Sequence, residues 1–176
     1  ALGVGASSED LALLWESHPD FSVLPSFAVV PTQPIVFAAL HAVNANFRTL
    51  VHGEQSIVMH AAIPVGSMLT SRGHITEILD KGKGAVVVIE TQTCGEDGEL
   101  IFETRWSIFC RGQGGFGGPR GEKQTLPESV DGVAPSFSVM AQTTREQALL
   151  YRLSGDYNPL HVDPELATKV GFQQPI

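Results

Sequence analysis

Residues 69–110 read LTSRGHITEIL-DKGKG-AVVVIETQTC-GEDGE-LIFETRWSIFC: three runs rich in β-branched and aromatic residues, parted by two short polar stretches that carry glycine. Runs of this composition bounded by Gly and Asp read as strands, and loops this short join neighbouring antiparallel strands. The three therefore form a meander. Upstream, LVHGEQSIVMH over residues 50–60 alternates around Gly53, and IPVG at 63–66 turns the chain. Residues 26–46 are long and apolar but interrupted by Pro31 and Pro34, so a buried central helix is predicted over residues 35–43. One long helix followed by a meander predicts an α+β fold, an antiparallel sheet wrapped around the helix.

The bulk composition fits that picture. Of 176 residues, 43% are hydrophobic and 17% charged, enough apolar content for a folded core. A net charge of -8, with eleven basic residues scattered along the chain, argues against nucleic acid or an anionic membrane surface as partner. No run reaches the roughly 18 apolar residues of a membrane span, and the opening ALGVGASSED lacks the basic head of a signal peptide. Cys94 and Cys110 both fall in strand segments without CxxC or zinc-ligand spacing, so a pair of buried reduced thiols is expected in a reducing compartment. The chain starts without Met and stops directly after a helical pattern, so both ends are expected to be missing.

Beyond the meander lies RGQGGFGGPRGEKQTLPE at residues 111–128. Its glycines lack the GxxxxGK[ST] pattern and the strand-loop-helix setting of a phosphate loop, so a flexible connector is expected. Residues 136–142 read as a strand. TTRE at 143–146 is a helix start, Thr capping with Glu near the third helical position, which leads into a helix ending at Ser154-Gly155. A last helix is predicted over residues 164–170, closed by Gly171.

Between those two helices stands YRLSGDYNPLHVDP, residues 151–164. Asp156, Asn158 and His161 share a six-residue window, the densest set of acid/base groups in the chain. Asp and His can hold a water, take its proton and return one, while Asn offers a donor and an acceptor without titrating. The same residues also suit a purely structural role: an Asx turn, an Asn cap on a helix opening at Pro159, and an exposed His161.

The string S-G-D-x-N-P-L-H-x-D-P resembles the signature of the (R)-specific enoyl-CoA hydratases, hydratase 2, of the MaoC-like hot-dog superfamily. LVHGEQ, LDKGKG and RGQGGFGG, in this order, extend the resemblance to the hydratase 2 region of the peroxisomal multifunctional enzymes of β-oxidation and their bacterial relatives. The resemblance implies a double hot-dog fold. Residues 1–112 would be an N-terminal repeat, silent in catalysis and making room for the acyl chain; 113–135 a Gly/Pro-rich linker; and 136–176 the start of a catalytic repeat. It implies that Asp156 and His161 act on one water with Asn158 beside them, and that His52, Gly53 and Lys81 contact the acyl-CoA. It further implies the (3R) product, a homodimer, a possible fused dehydrogenase domain, no cofactor or metal beyond the coenzyme A thioester itself, and a peroxisomal location, or the cytoplasm in a bacterium. The family continues into an H-G segment whose backbone N–H helps to hold the thioester oxygen, and this chain stops before it. A non-catalytic acyl-CoA-binding or dimerisation module and an acyl-CoA thioesterase are the alternative functions. A silent first copy is expected near the N-terminus, with Gly5 on Gly155 and Ala6 in the place of Asp156.

Overall fold

The computed structural model describes residues 1–122 and 132–176, in two compact units: Ala6–Gly121 with Ala1, and Glu122–Ile176 with Leu2–Gly5. In the first unit a short helix, α1 (Leu11–Leu14), precedes the long α2 (Val29–Ala42) and four strands, β1 (Leu50–Met59), β2 (Thr70–Asp80), β3 (Gly84–Cys94) and β4 (Leu100–Arg111). The strands form one antiparallel sheet in the order β1-β4-β3-β2, so the meander β2-β3-β4 is as the runs predict and β1 closes beside β4.

Helix and sheet meet along one row each. In α2 the buried residues Thr32, Val36 and Leu40 are four apart and share a face. That face packs on alternate residues of β3 (Ala85, Val87, Ile89) and β4 (Trp106, Ile108, Cys110). Burying one such aliphatic side chain stabilises the fold by about 1.5–3 kcal/mol. Polar groups on the packed face are satisfied internally: Trp106 Nε1–H donates to Thr104 Oγ1 at 2.8 Å, and Thr104 Oγ1 shares a 2.7 Å hydrogen bond with Thr91 Oγ1. On the other side of the sheet Arg105 pairs with Glu77, at 2.7 Å, and with Glu90.

The helix starts earlier than residue 35. Pro31 is its third residue, where a backbone N–H has no intrahelical partner, so the ring costs no hydrogen bond. Pro34 lies inside and forgoes one, while the Thr32 hydroxyl donates to the Val29 carbonyl at 3.1 Å. Tertiary burial overrides the break. The front of the expected connector is not a free tether. Asp80, 6% exposed, accepts N–H groups from Gly82 (2.8 Å), Gly115 (2.8 Å) and Gly117 (2.7 Å), tying the β2–β3 turn to residues 112–121. Gly114 permits the approach, since a Cβ there would collide with the Gly82 and Gly84 carbonyl oxygens. Gln113 adds a second tie, accepting the Asn46 N–H at 2.7 Å and donating to the Asn44 carbonyl at 3.0 Å. Residues 123–128 of that connector lie outside the described residues.

The cysteines are free, at opposite ends of the β3–β4 pair: Cys110 is buried, its thiol pushed up by that burial, and Cys94 is only half-buried.

The second unit holds α3 (Gln147–Arg152) and α4 (Pro164–Lys169) with a 3-10 turn at Pro159–His161. Residues 136–142 are not a strand: Phe137, Val139 and Met140 are 81, 79 and 97% exposed, and no strand among the described residues pairs with them. At the start of α3 the expected cap is modified. Glu146 occupies the N-cap, and Gln147 rather than Glu146 reaches back, accepting the Thr144 N–H at 3.4 Å. Asp163 caps α4, accepting N–H groups of Glu165 (2.8 Å) and Leu166 (3.3 Å). In the ungapped internal register Leu11 falls on His161, yet α1 begins at Leu11 and α4 at Pro164, so the short helices are out of step.

Leu40, 1% exposed, sits at the centre of the helix–sheet contact. Leu40→Ala is expected to lower unfolding free energy by about 2–5 kcal/mol in a urea titration. A loss under about 0.5 kcal/mol, the range of a surface substitution, would contradict the packing described.

Candidate active site

Two consecutive Asx turns build the loop after α3. Gly155, with φ +126°, reverses the chain in a conformation open to glycine, and the Asp156 side chain then accepts the Asn158 N–H through Oδ1 at 3.1 Å. Asn158 repeats the motif, its Oδ1 accepting the Leu160 N–H at 3.0 Å and so capping the 3-10 turn that opens with Pro159. His161 ends that turn. The result places Asp156 Oδ2 3.3 Å from His161 Nε2, with side chains 29% and 15% exposed.

The other ring nitrogen is also engaged: His161 Nδ1 meets the Ile176 carbonyl oxygen. Nε2 is the ring atom that faces Asp156. Asp156 is steadied in turn, with Oδ1 held by Asn158 N–H and Oδ2 turned to the imidazole. The Asn158 acceptor is committed to its cap, so its side-chain amide N–H₂ is the group left for a ligand.

A fourth residue joins them that the sequence reading assigned no role. The Tyr151 ring stands edge-on to His161, centroids 5.1 Å apart at 70°. Partial burial, then the Asp156 charge, push the phenol above its ordinary value. Its signal in the sequence is only that it opens the quoted string. Arg152 lies over the neighbouring Tyr157 ring, 5.2 Å from its centroid.

His52, Gly53 and Lys81 belong to the first unit. The β1–β4 register slips between His52 and Glu54, so Gly53 sits in a β-bulge. His52 stacks on Trp106, centroids 4.9 Å apart and rings 14° from parallel. Lys81 lies exposed in the β2–β3 turn, its ammonium donating to the Arg120 carbonyl. A row of partners, Leu50–Cys110–Ala85–Asp80, crosses the sheet at the end that carries both. Close by, an apolar cavity of about 350 Å³ is lined by Val43, Ala45, Ile78, Val87 and Phe116 among others. Among the described residues no three His, Cys, Asp or Glu gather as a metal site, and no helix is long and apolar enough to cross a membrane.

Comparison with known proteins gives the family. Residues 1–112 match the model of the MFE-2 hydratase 2 N-terminal domain, and residues 128–176 that of the MaoC-like domain. The chain belongs to the MFE-2 hydratase 2 family. It is 44% identical over its whole length to 3-hydroxyacyl-thioester dehydratase Y of Mycobacterium tuberculosis, covering 62% of that protein, and 40% identical to the mouse peroxisomal multifunctional enzyme type 2, of which it covers 25%. It thus spans under two thirds of the length of these relatives. Among solved structures, a MaoC-like dehydratase from Phytophthora capsici aligns over 100% of the chain and 63% of its own, with TM-score 0.77 and 33% identity. The full-length peroxisomal multifunctional enzyme type 2 of Drosophila melanogaster aligns over 99% and 31%, with TM-score 0.76 and 34% identity. The sheet and central helix of the first unit are therefore a hot-dog fold of the MaoC-like kind.

The Tyr151 environment is measurable. With a folded-state value above the free one, its contribution to stability is complete below about pH 10 and is lost as the pH rises through the folded value. In a titration of ¹³C-labelled tyrosine followed by NMR, Tyr151 is expected to ionise later than free tyrosine, and Asp156→Asn to move it part of the way back. Ionisation at the free value in both proteins would contradict the effect of burial and of the Asp156 charge on the phenol.

Proposed function

We propose that the chain is part of a lyase that adds water to trans-2-enoyl-CoA, giving (3R)-3-hydroxyacyl-CoA in fatty-acid β-oxidation. The observation that carries this reading is the Asp156–His161 pair, held by its own turns with Nε2 and a carboxylate oxygen facing each other across 3.3 Å. The names of the relatives agree with it, among them an enoyl-CoA hydratase 2 of Arabidopsis thaliana and a probable one of Dictyostelium discoideum.

The chemistry requires a nucleophilic water at C3, a proton at C2, and stabilisation of the charge that develops on the thioester oxygen. Asp156 holds the water. His161 Nε2 takes its proton as the oxygen bonds to C3, and the C2–C3 π electrons move towards the thioester carbonyl. The enolate collapses as C2 takes a proton from the acid form of the pair, which restores the double bond to oxygen. Asn158 orients the water through its amide N–H₂. His52, Gly53 and Lys81 bind the acyl-CoA, and the apolar cavity of the first unit suits the hydrocarbon tail. No cofactor is needed, because the thioester brings its own activation. The working protein is a homodimer, in some organisms fused to a dehydrogenase, as in the peroxisomal hydratase-dehydrogenase-epimerase of Neurospora crassa by its name. The compartment is the peroxisome, or the cytoplasm of a bacterial host.

Each of Asp156→Asn and His161→Ala, made in the full-length protein, is expected to reduce hydration of an enoyl-CoA by about 100- to 10,000-fold, with folding intact by circular dichroism. The double variant should be little worse than either alone, since the two act on one water. Near-normal turnover by either variant would reject the assignment, and release of free thiol in step with loss of the enoyl absorbance would favour a thioesterase.

A further inference from the structure

The geometry points to Asp80 as a positioning residue for the carrier end of the thioester: it locks the β2–β3 turn to residues 112–121 so that their cations face the coenzyme A phosphates. This rests on the proposed binding of acyl-CoA at Lys81. The two segments tied by Asp80, residues 80–84 and 111–121, carry Lys81, Lys83, Arg111 and Arg120, all exposed, against one carboxylate, Asp80 itself. The chain as a whole bears -8. Four of its eleven basic residues thus stand on two segments tied into one ledge, and the Asp80 carboxylate that ties them is buried and spent on backbone N–H groups.

The lock is specific in its geometry. Oδ1 takes the N–H groups of Gly82 and Gly115, Oδ2 that of Gly117, and the Asp80 N–H donates to the Pro119 carbonyl at 2.8 Å. Gly112 N–H donates to the Lys83 carbonyl at 2.9 Å, and the Lys81 ammonium to the Arg120 carbonyl. An ammonium has three donors, so one bond to the strap aims Lys81 and leaves two for a phosphate. Consecutive N–H groups of a glycine-rich segment are a common cradle for an external anion. Here an internal carboxylate occupies the cradle, and the external anion is left to the cation ledge around it.

The test uses the full-length protein, with coenzyme A and pantetheine, which lacks the phosphates, as calorimetric probes beside enoyl-CoA kinetics. Asp80→Asn, Lys81→Ala and the double variant are compared with wild type. Each single change is expected to weaken coenzyme A binding about tenfold, to leave pantetheine binding as it was, and to raise KM for enoyl-CoA far more than it lowers kcat. The double variant should lose less than the product of the two single losses, because Asp80 acts in part through Lys81. Equal weakening of both probes by Asp80→Asn, or no weakening of coenzyme A, overturns the inference. If Asp80→Asn does not fold, Lys81→Ala and Arg120→Ala decide it: these exposed changes must weaken coenzyme A and spare pantetheine. A wild type that binds coenzyme A in this way yet hydrates no enoyl-CoA would fail the functional reading while leaving the ledge in place.

Discussion

The first unit depends on one packing constraint: an almost continuously apolar helix has to lay its Thr32–Val36–Leu40 row along one face of a twisted sheet. That contact selects which alternate residues of β3 and β4 face inward, and so sets the register of the whole meander. The bulge at Gly53 follows from the same demand. It lets His52 and Gln55 stand opposite Ile108 and Trp106 while Glu54 stands opposite Ser107 on the other face. His52 is thereby held against the core by a stacked Trp106 without being buried.

The Asp156–His161 pair and Lys81 are each presented by a turn fastened through side-chain carboxylates or amides. In the second unit the fasteners are Asp156 and Asn158, each accepting the N–H two residues ahead. Asp156 therefore shapes the loop with one oxygen and faces His161 with the other. In the first unit the fastener is Asp80, whose carboxyl the N–H of Gly115, then that of Gly82, holds below the usual carboxylate range.

The strands and hairpins were legible because their signals are local: β-branched runs ended by DKGKG and GEDGE. The Asp-x-Asn-Pro turn was legible for the same reason, down to the cap that Asn158 supplies. What the sequence hid was non-local. Pro31 read as a break, though in the first turn of a helix it forgoes nothing. The glycines of residues 112–121 read as slack, because the carboxylate that takes their N–H groups lies some 35 residues upstream. Residues 136–142 alternate like a strand, but a strand exists only with a partner, and none among the described residues pairs with them. Tyr151 escaped because its ring contact with His161, across a reversed turn, matches no helical or strand period.

The central claim, that the Asp156–His161 pair directs a water to C3 of an enoyl thioester, is tested most directly by turnover of trans-2-enoyl-CoA in H₂¹⁸O by the full-length protein, followed by mass spectrometry. Label in the 3-hydroxyl group of an intact acyl-CoA, absent in the His161→Ala protein, is the expected result. Label in a free carboxylate beside unacylated coenzyme A would place the water on the thioester carbon instead and contradict it.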